Sequence, residues 1–369
     1  MLKQLALLFL KLGTISFGGP AAHIAMMEDE VVRKKKWLSS ETFLDLLGAT
    51  NLIPGPNSTE LAIHIGHKQA GWKGLLVAGI CFILPAVIIV WIIAWAYVRF
   101  GSLPEIQSLL YGVKPVMIAI VAHALYRLGR TALKTKMLMV FCLAALVTNA
   151  FGMNELLVLF GTGFLAMLWR QIKEGRMLSL NFLSALPFVI NDASSRLSEL
   201  FLIFLKIGSV LFGSGYVLLA FLQTDFVDHR QWLTSSQLID AVTVGQFTPG
   251  PVFTAATFVG YLIAGHGGAL LATIGIFLPA FFFVAISHPL IPRLRTSRLA
   301  SSFLDGVNVA SLALMAVVTV KLGKEALPDV PAIFMMLLSF FLLWRFRLNS
   351  AWLVVAGAAM GFCVSRFLT

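Results

Sequence analysis

At 369 residues, with 59% hydrophobic and only 12% charged side chains and a mean hydropathy of +0.89, the chain does not read as a soluble globular protein; soluble domains carry about 25% charged residues. The net charge of +11 does not mark a nucleic-acid surface, because Lys and Arg gather in short connections between apolar runs, the footprint of membrane topology. Cys81, Cys142 and Cys363 each stand alone in an apolar run, without metal-ligand spacing, and read as small core residues.

In chain order the apolar pattern predicts segments at 2–27, 39–68, 73–99, 105–127, 137–150 and 154–170. After the polar stretch Gln171–Arg196 they recur at 197–224, 235–264, 267–291, 300–322, 331–345 and 350–367. The expected organisation is a first membrane repeat (1–170), a linker (171–196) and a second membrane repeat (197–369). The apolar run from Leu5 lacks a signal-cleavage pattern and belongs to the repeat.

Phe9–Gly19 (FLKLGTISFGG) returns at an offset of 195 as Phe204–Ser214 (FLKIGSVLFGS), and sixteen residues between 9 and 59 match their partners identically. Trp37-Leu38 falls on Trp232-Leu233, Asp45 on Asp240, and Pro54-Gly55-Pro56 on Pro249-Gly250-Pro251. Beyond 59 the match resumes at an offset of 194, with Gly66/Gly260, Pro85/Pro279 and Gly112/Gly306. Duplicated apolar segments broken at matching Gly and Pro point to the substrate site of a secondary transporter.

Basic residues set the expected orientation. If every segment crossed once, Lys and Arg would divide almost evenly between the two faces. Treating the second segment of each half as a re-entrant hairpin bent at Pro-Gly-Pro places 19 on the cytoplasmic side and 6 outside. Five crossings per half make the halves antiparallel. The predicted fold is thus an all-α polytopic membrane protein, an inverted-topology repeat with about ten crossing helices and two re-entrant hairpins.

The breaks carry the candidate site. Gly18, Gly19 and Pro20 interrupt the first segment, and Pro54, Gly55 and Pro56 the second. Irregular backbone at membrane depth survives only where protein or a wet cavity satisfies it. A helix resuming at Pro56 exposes free N–H groups and a positive dipole end, with Asn51, Asn57, Ser58 and Thr59 at its mouth. Gly213, Gln246, Pro249, Gly250, Pro251 and Thr254 form the second copy, made less polar by Val252 and Phe253. Simple packing kinks are the alternative.

Lys11 and Lys206 occupy equivalent intramembrane positions, where a cation is expected to face an anion or a cavity, or to snorkel to the interface. Lys114, whose counterpart is Asn308, Asp45 and Asp240 are further coupling candidates. Glu60 is expected to carry a coupling proton or to pair with Lys11 when no substrate is bound, and a structural role for each acid, as partner of a buried lysine or a helix end, is the equal alternative. His64 and His67 lie three residues apart near Glu60, but no second ligand pair accompanies them, so an intramembrane metal enzyme is the weaker reading. Walker A and dinucleotide motifs are lacking, so the energy source is an ion gradient or the membrane potential. No catalysis, cofactor or metal is expected.

At FLKLGTISFGGP (Phe9–Pro20), WL (Trp37-Leu38) and NLIPGPNSTE (Asn51–Glu60), with echoes at Phe204–Gly215 and Gln246–Pro251, the sequence resembles the chromate ion transporter family, long-chain type with two fused halves. The resemblance implies a multi-pass carrier of the bacterial inner membrane that exports chromate, confers chromate resistance and has oppositely oriented halves. Sulfate-like oxyanions, protons, a channel mode and a homo-oligomer stay open at this stage. Divergence at Asn57-Ser58 against Val252-Phe253 makes the first half the expected main site.

Overall fold

The computed structural model describes residues 1–17, 19–173, 195–212, 215–287, 297–346 and 348–368, and every regular element among them is helical. Gly18, Gly213 and most of the linker (174–194) lie outside the described residues. The first half runs through α1 (Leu2–Ile15), α2 (Pro20–Glu28), which continues as a π-helical stretch (Asp29–Lys34), and α3 (Ser40–Thr50). It then continues through α4 (Asn57–Phe100), α5 (Pro104–Ala132), α6 (Lys136–Ala150) and α7 (Glu155–Lys173). The second half repeats the order. There α8 (Arg196–Val210) is followed by a 3₁₀ turn (Gly215–Val217), α9 (Leu218–Leu222) and a π-helical stretch (Gln223–His229). The remainder is α10 (Ser235–Phe247), a 3₁₀ turn (Val252–Thr254), α11 (Ala255–Ser287), α12 (Arg298–Ala326), α13 (Val330–Phe346) and α14 (Ser350–Leu368).

Local chemistry sets several of these limits. Pro20 takes the first position of α2, where a missing N–H costs nothing. The Ser39 side chain accepts the Thr42 N–H to start α3, and Thr234 and Gln237 form a reciprocal capping box on α10.

The helix α4 is not one rod. Ala70 and Gly71 leave helical geometry (φ −148°, ψ 26° and φ 59°, ψ −147°), and Ala264 and Gly265 do the same in α11 (φ −146°, ψ 28° and φ 60°, ψ −145°). Gly71 and Gly265 supply the left-handed backbone that the bend requires. Beyond each bend the chain turns back. A methyl group on Gly66 would strike both the Gly74 carbonyl and Ala78, which a straight helix would hold about 12 and 18 Å away. The hydroxyls of Thr257 and Thr273 meet at 2.7 Å in the same way. Each of α4 and α11 is therefore a short arm (57–69, 255–263) and a long one (72–100, 266–287). The bends fall between the second and third segments drawn from hydropathy.

The first segment of the second half departs from the sequence expectation of a single crossing. Arg230 Nε donates to Glu199 Oε1 at 2.6 Å, and Arg196 and Arg230 stand over the same Trp232 ring at 5.0 and 5.8 Å. A straight helix would hold residues 199 and 230 roughly 45 Å apart. The segment therefore enters, breaks and returns. The reason lies in the break itself, which frees the chain to reverse, and in the ion pairs that hold the two arms together. The first half behaves alike: Leu5, Leu8 and Phe9 share an apolar cluster with Met27, Val31 and Leu38. The second segment also closes on its own start, with Gln69 Nε2 donating to the Trp37 carbonyl at 3.0 Å.

Equivalent helices of the two halves pack antiparallel. Along the long arms of α4 and α11, Trp91 bonds His266 at 3.0 Å while the Phe281 ring lies against Gly79. Along α5 and α12, Lys134 meets Asp305 at 2.8 Å and Tyr111 meets Asp329 at 2.7 Å, at opposite ends of the pair. Where lipid replaces water, close packing of small residues rather than hydrophobic exclusion drives such contacts. Gly112 lies against Gly357 and Gly361, and Gly306 against Thr162 and Gly163. Among the described residues five helices are long and apolar enough to cross a membrane: Asn57–Phe100, Pro104–Ala132, Glu155–Lys173, Val252–Ser287 and Leu299–Ala326. Lys136–Ala150, Val330–Phe346 and Ser350–Val364 are shorter apolar helices.

Candidate functional site

Four helix breaks meet in the middle of the molecule, and they meet reciprocally. The Gly55 N–H donates to the Leu211 carbonyl at 2.9 Å, and the Gly250 N–H to the Ser16 carbonyl at 3.0 Å. Gly55 and Gly250 are equivalent residues, and so are Ser16 and Leu211. Residue i of one half thus bonds residue j of the other in both directions, the mark of two-fold symmetry. Ser16 and Leu211 are the extended residues that end α1 and α8, so their carbonyls have left the helical ladder and are free to accept. Gly55 and Gly250 have φ of +138° and +90°. Only glycine takes such backbone without strain, which explains the fixed Pro-Gly-Pro.

The mouth of α4 is where the predicted residues gather. Pro56 precedes the first turn, and Ser58, Thr59 and Glu60 are buried in it. The Asn57 amide donates to Asn51 Oδ1 at 2.9 Å, joining two predicted residues across the break. The Thr59 hydroxyl has no partner among the described residues. In the second half the equivalent Thr254 hydroxyl is spent on the Pro251 carbonyl at 2.8 Å, and Val252 and Phe253 fill the remaining space. Gln246, the counterpart of Asn51, is buried, with its amide nitrogen unpartnered. The two copies thus share a backbone and differ in polarity.

Glu60 is wholly buried, and neither carboxylate oxygen has a hydrogen-bond partner among the described residues. Its Oε1 occupies the space that a Cβ on Gly55 would fill, so the carboxylate lies against the Pro-Gly-Pro backbone. An ionised, unpaired carboxylate is among the costliest groups to hold in a bilayer interior, which makes Glu60 a functional candidate by default. It does not pair with Lys11, as one sequence expectation had it. Lys11 binds Glu30 at 2.9 Å, and Lys206 binds Asp225 at 2.7 Å. The two pairs are equivalent, each spanning nineteen residues. Both lysines expected to attract an anion as free cations are therefore engaged with carboxylates that lie on the returning arm, and Lys11 is half exposed. Glu30 and Asp225 escaped notice, although two acids at matching repeat positions were a readable signal.

His23 is a further residue that sequence reasoning missed. It is buried, with Nε2 3.1 Å from the Ser16 carbonyl and Nδ1 3.2 Å from Ser58 Oγ. A carbonyl only accepts, so Nε2 carries the proton, and in the neutral ring Nδ1 accepts from the serine hydroxyl. His23 thereby ties the break of α1 to the first turn of α4. Its counterpart is Leu218, so the repeat gave no hint of it.

Lys114 and Asp240 come together, whereas Asp45 stands elsewhere, on α3. Lys114 Nζ donates to Ser236 Oγ at 2.6 Å and lies 3.9 Å from Asp240 Oδ2, which also accepts from the Tyr97 hydroxyl at 2.8 Å. Asp240 is buried in α10. His67 stacks edge-on with Trp72 at 5.9 Å. Among the described residues no three His, Cys, Asp or Glu side chains form a metal-binding group, so His64, His67 and Glu60 do not build the donor set that the enzyme reading requires.

A sequence model of the family described as Chromate transporter matches residues 3–167 and again 198–362. The chain belongs to the chromate transporter family. It is 33% identical to the chromate transport protein of Cupriavidus metallidurans over 97% of this chain and 92% of that protein. It is 32% identical to the probable chromate transport protein of Synechococcus elongatus (98% and 95%) and 29% identical to the chromate transport protein of Pseudomonas aeruginosa (98% and 92%). No solved structure matches the chain. As a family member it is a membrane transporter, and the double match has the spacing of the repeat read from the sequence.

Proposed function

We propose that the chain is a secondary carrier that exports chromate, a tetrahedral dianion, across the bacterial cytoplasmic membrane by alternating access between two inverted repeats. The observation that carries this reading is the reciprocal bonding of Gly55 to Leu211 and Gly250 to Ser16. It supports four broken elements converging on one pseudo-two-fold axis, the arrangement in which half-helix N-termini face an anion. Antiparallel packing of α5 with α12 supports the inversion. Within this reading each half contributes four crossing helices: the long arm of α4, α5, α6 and α7, with the long arm of α11, α12, α13 and α14 as their counterparts. The first two segments of each half are re-entrant. Four crossings per half replace the five expected from hydropathy, and because four is even, the inversion requires Lys173 and Arg196 to lie on opposite faces.

The charge rule is compatible with this revision. Lys3 joins Arg33–Lys36 on the cytoplasmic face, and Arg196 joins Arg230 outside, so the 19-to-6 division is unchanged. The anion is held by the free N–H groups at the start of α4 with Asn51, Asn57, Ser58 and Thr59, and Glu60 carries the coupling proton. The potential, inside negative, favours outward movement of an anion. The test is uptake of radiolabelled chromate into everted vesicles, with the potential and the pH gradient collapsed separately. Uptake that persists with both collapsed but never runs uphill supports a channel. Stronger inhibition by sulfate than by unlabelled chromate reassigns the substrate, with the scaffold intact.

A further inference from the structure

The two halves are equivalent in fold but not in posture. On one side α10 closes on α5, where the Lys114–Ser236 and Tyr97–Asp240 hydrogen bonds stand side by side, with Lys114 3.9 Å from the Asp240 carboxylate. The pseudo-symmetric place, between α3 and α12, is instead a cavity of about 210 Å³ lined by Gly48, Asn51, Leu52, Ser301, Asp305 and Asn308, among others. At ~30 Å³ each that is room for about seven waters. Exposure follows the same split. Asn51 and Asn308 are exposed, whereas their counterparts Gln246 and Lys114 are buried and half-buried.

We infer that the structure is the carrier open toward its Lys- and Arg-rich face, that this cavity is the mouth through which the anion reaches the helix breaks, and that Lys114–Asp240–Tyr97 is the closed gate of the opposite face. This rests on the carrier reading above. The cavity is lined on one side by Ser297 and by Asp305, which Lys134 pairs, and on the other by Asn51, whose side chain holds Asn57 at the start of α4. It therefore leads to the candidate anion site. Asp305 would repel a dianion, but Lys134 at 2.8 Å meets its charge. On the opposite face the route is shut by paired groups: Asp240 Oδ2 accepts from the Tyr97 hydroxyl and lies 3.9 Å from the Lys114 ammonium, which donates to Ser236. Opening this gate exposes Lys114 to the outgoing anion. Closing the mouth brings α3 onto α12, with Asp45 approaching Asn308 as Asp240 approaches Lys114 now. The repeats thus exchange postures, as an inverted duplication allows. The gates differ in chemistry, since Asn308 offers no charge where Lys114 offers one.

Mirror-related cysteines test the proposal. In a chain whose Cys81, Cys142 and Cys363 are replaced by Ala, single variants Asn51→Cys, Asn308→Cys, Gln246→Cys and Lys114→Cys are treated with a membrane-impermeant thiol reagent in intact cells and in everted vesicles. Asn51→Cys and Asn308→Cys are expected to react from the cytoplasmic face, about tenfold faster than Gln246→Cys and Lys114→Cys react from outside, the ratio for a preference of ~1.4 kcal/mol. Reaction of the first pair from outside, or equal reaction of both pairs, overturns it. Gln246→Cys keeps the test alive if Lys114→Cys does not fold. Labelling needs no substrate, so the two readings fail separately. Asymmetric labelling in a chain that moves no chromate upholds the gate and removes the substrate assignment.

Discussion

Replacing Gly250 with Ala tests whether the reciprocal Pro-Gly-Pro contact holds the two halves in register. Gly250 has φ +90°, its N–H bonds the Ser16 carbonyl at 3.0 Å, and a new Cβ would lie 2.8 Å from the Ala86 Cβ and 3.2 Å from the Gly13 carbonyl. Left-handed backbone costs a non-glycine residue about 1–2 kcal/mol. Crowding a packed interior costs about 1–3 kcal/mol. Relief by shifting the loop weakens the hydrogen bond, at about 1 kcal/mol. The expected loss is about 3 kcal/mol. Gly152→Ala is the control, because Gly152 has φ +82° but nothing within 4 Å of a new Cβ. It should lose only about 1 kcal/mol. At about 2–4 °C per kcal/mol, the two melting temperatures should differ by roughly 4–8 °C in detergent, followed by loss of the monodisperse chromatographic peak. Chromate uptake should fall with Gly250→Ala alone. If both variants melt together and both transport at the parental rate, the four-break junction does not organise the molecule.

Four further outcomes rest on the same geometry. Lys206→Ala leaves Asp225, whose side chain is 4% exposed, with Arg230 at 3.4 Å in place of a close partner, and should destabilise by about 2 kcal/mol, while Lys206→Ala/Asp225→Ala recovers most of it; equal melting of single and double variants refutes the pairing. Lys11→Ala should cost about 1 kcal/mol or less, because Lys11 is 55% exposed and Lys34 also reaches Glu30 at 3.3 Å. Glu60→Gln keeps shape without charge, so the protein should fold as before while an imposed pH gradient no longer accelerates chromate uptake; a parental response to the gradient removes Glu60 from coupling. His23→Leu copies the Leu218 environment and should fold, yet lower uptake about fivefold by freeing Ser58 from its roughly 1 kcal/mol hydrogen bond; unchanged uptake makes His23 a packing residue only.

Much of the candidate site was legible because breaking a membrane helix needs particular residues. Pro20 and Pro56 mark where helices restart, and Gly55 and Gly250 where the backbone becomes left-handed. Those positions are dictated locally and repeat with the duplication. Long-range partners were not legible. Lys11 suggested an anion because its chemistry is visible and Glu30 is nineteen residues away, beyond any helical spacing. His23 has no repeat counterpart, and Tyr97 meets Asp240 only through the antiparallel halves. The fold-back of the first segment was hidden for a related reason. A run such as 197–224 has the composition of a crossing helix, and long-range contacts such as Glu199 with Arg230 and Lys206 with Asp225 distinguish a hairpin from a rod.

By itself the sequence determined a membrane protein, a duplication and the places where its helices break. Each of these depends on local composition or on backbone preferences that single residues impose. Tertiary structure decided which breaks face one another, which charges are neutralised, that the first segment of each half doubles back on itself, and that Lys114 meets Asp240 while Asn308 lines a cavity. Two halves built on one pattern encode both postures equally well; diverged contacts such as Lys114 with Asp240, against Asn308 opposite Asp45, favour one of them.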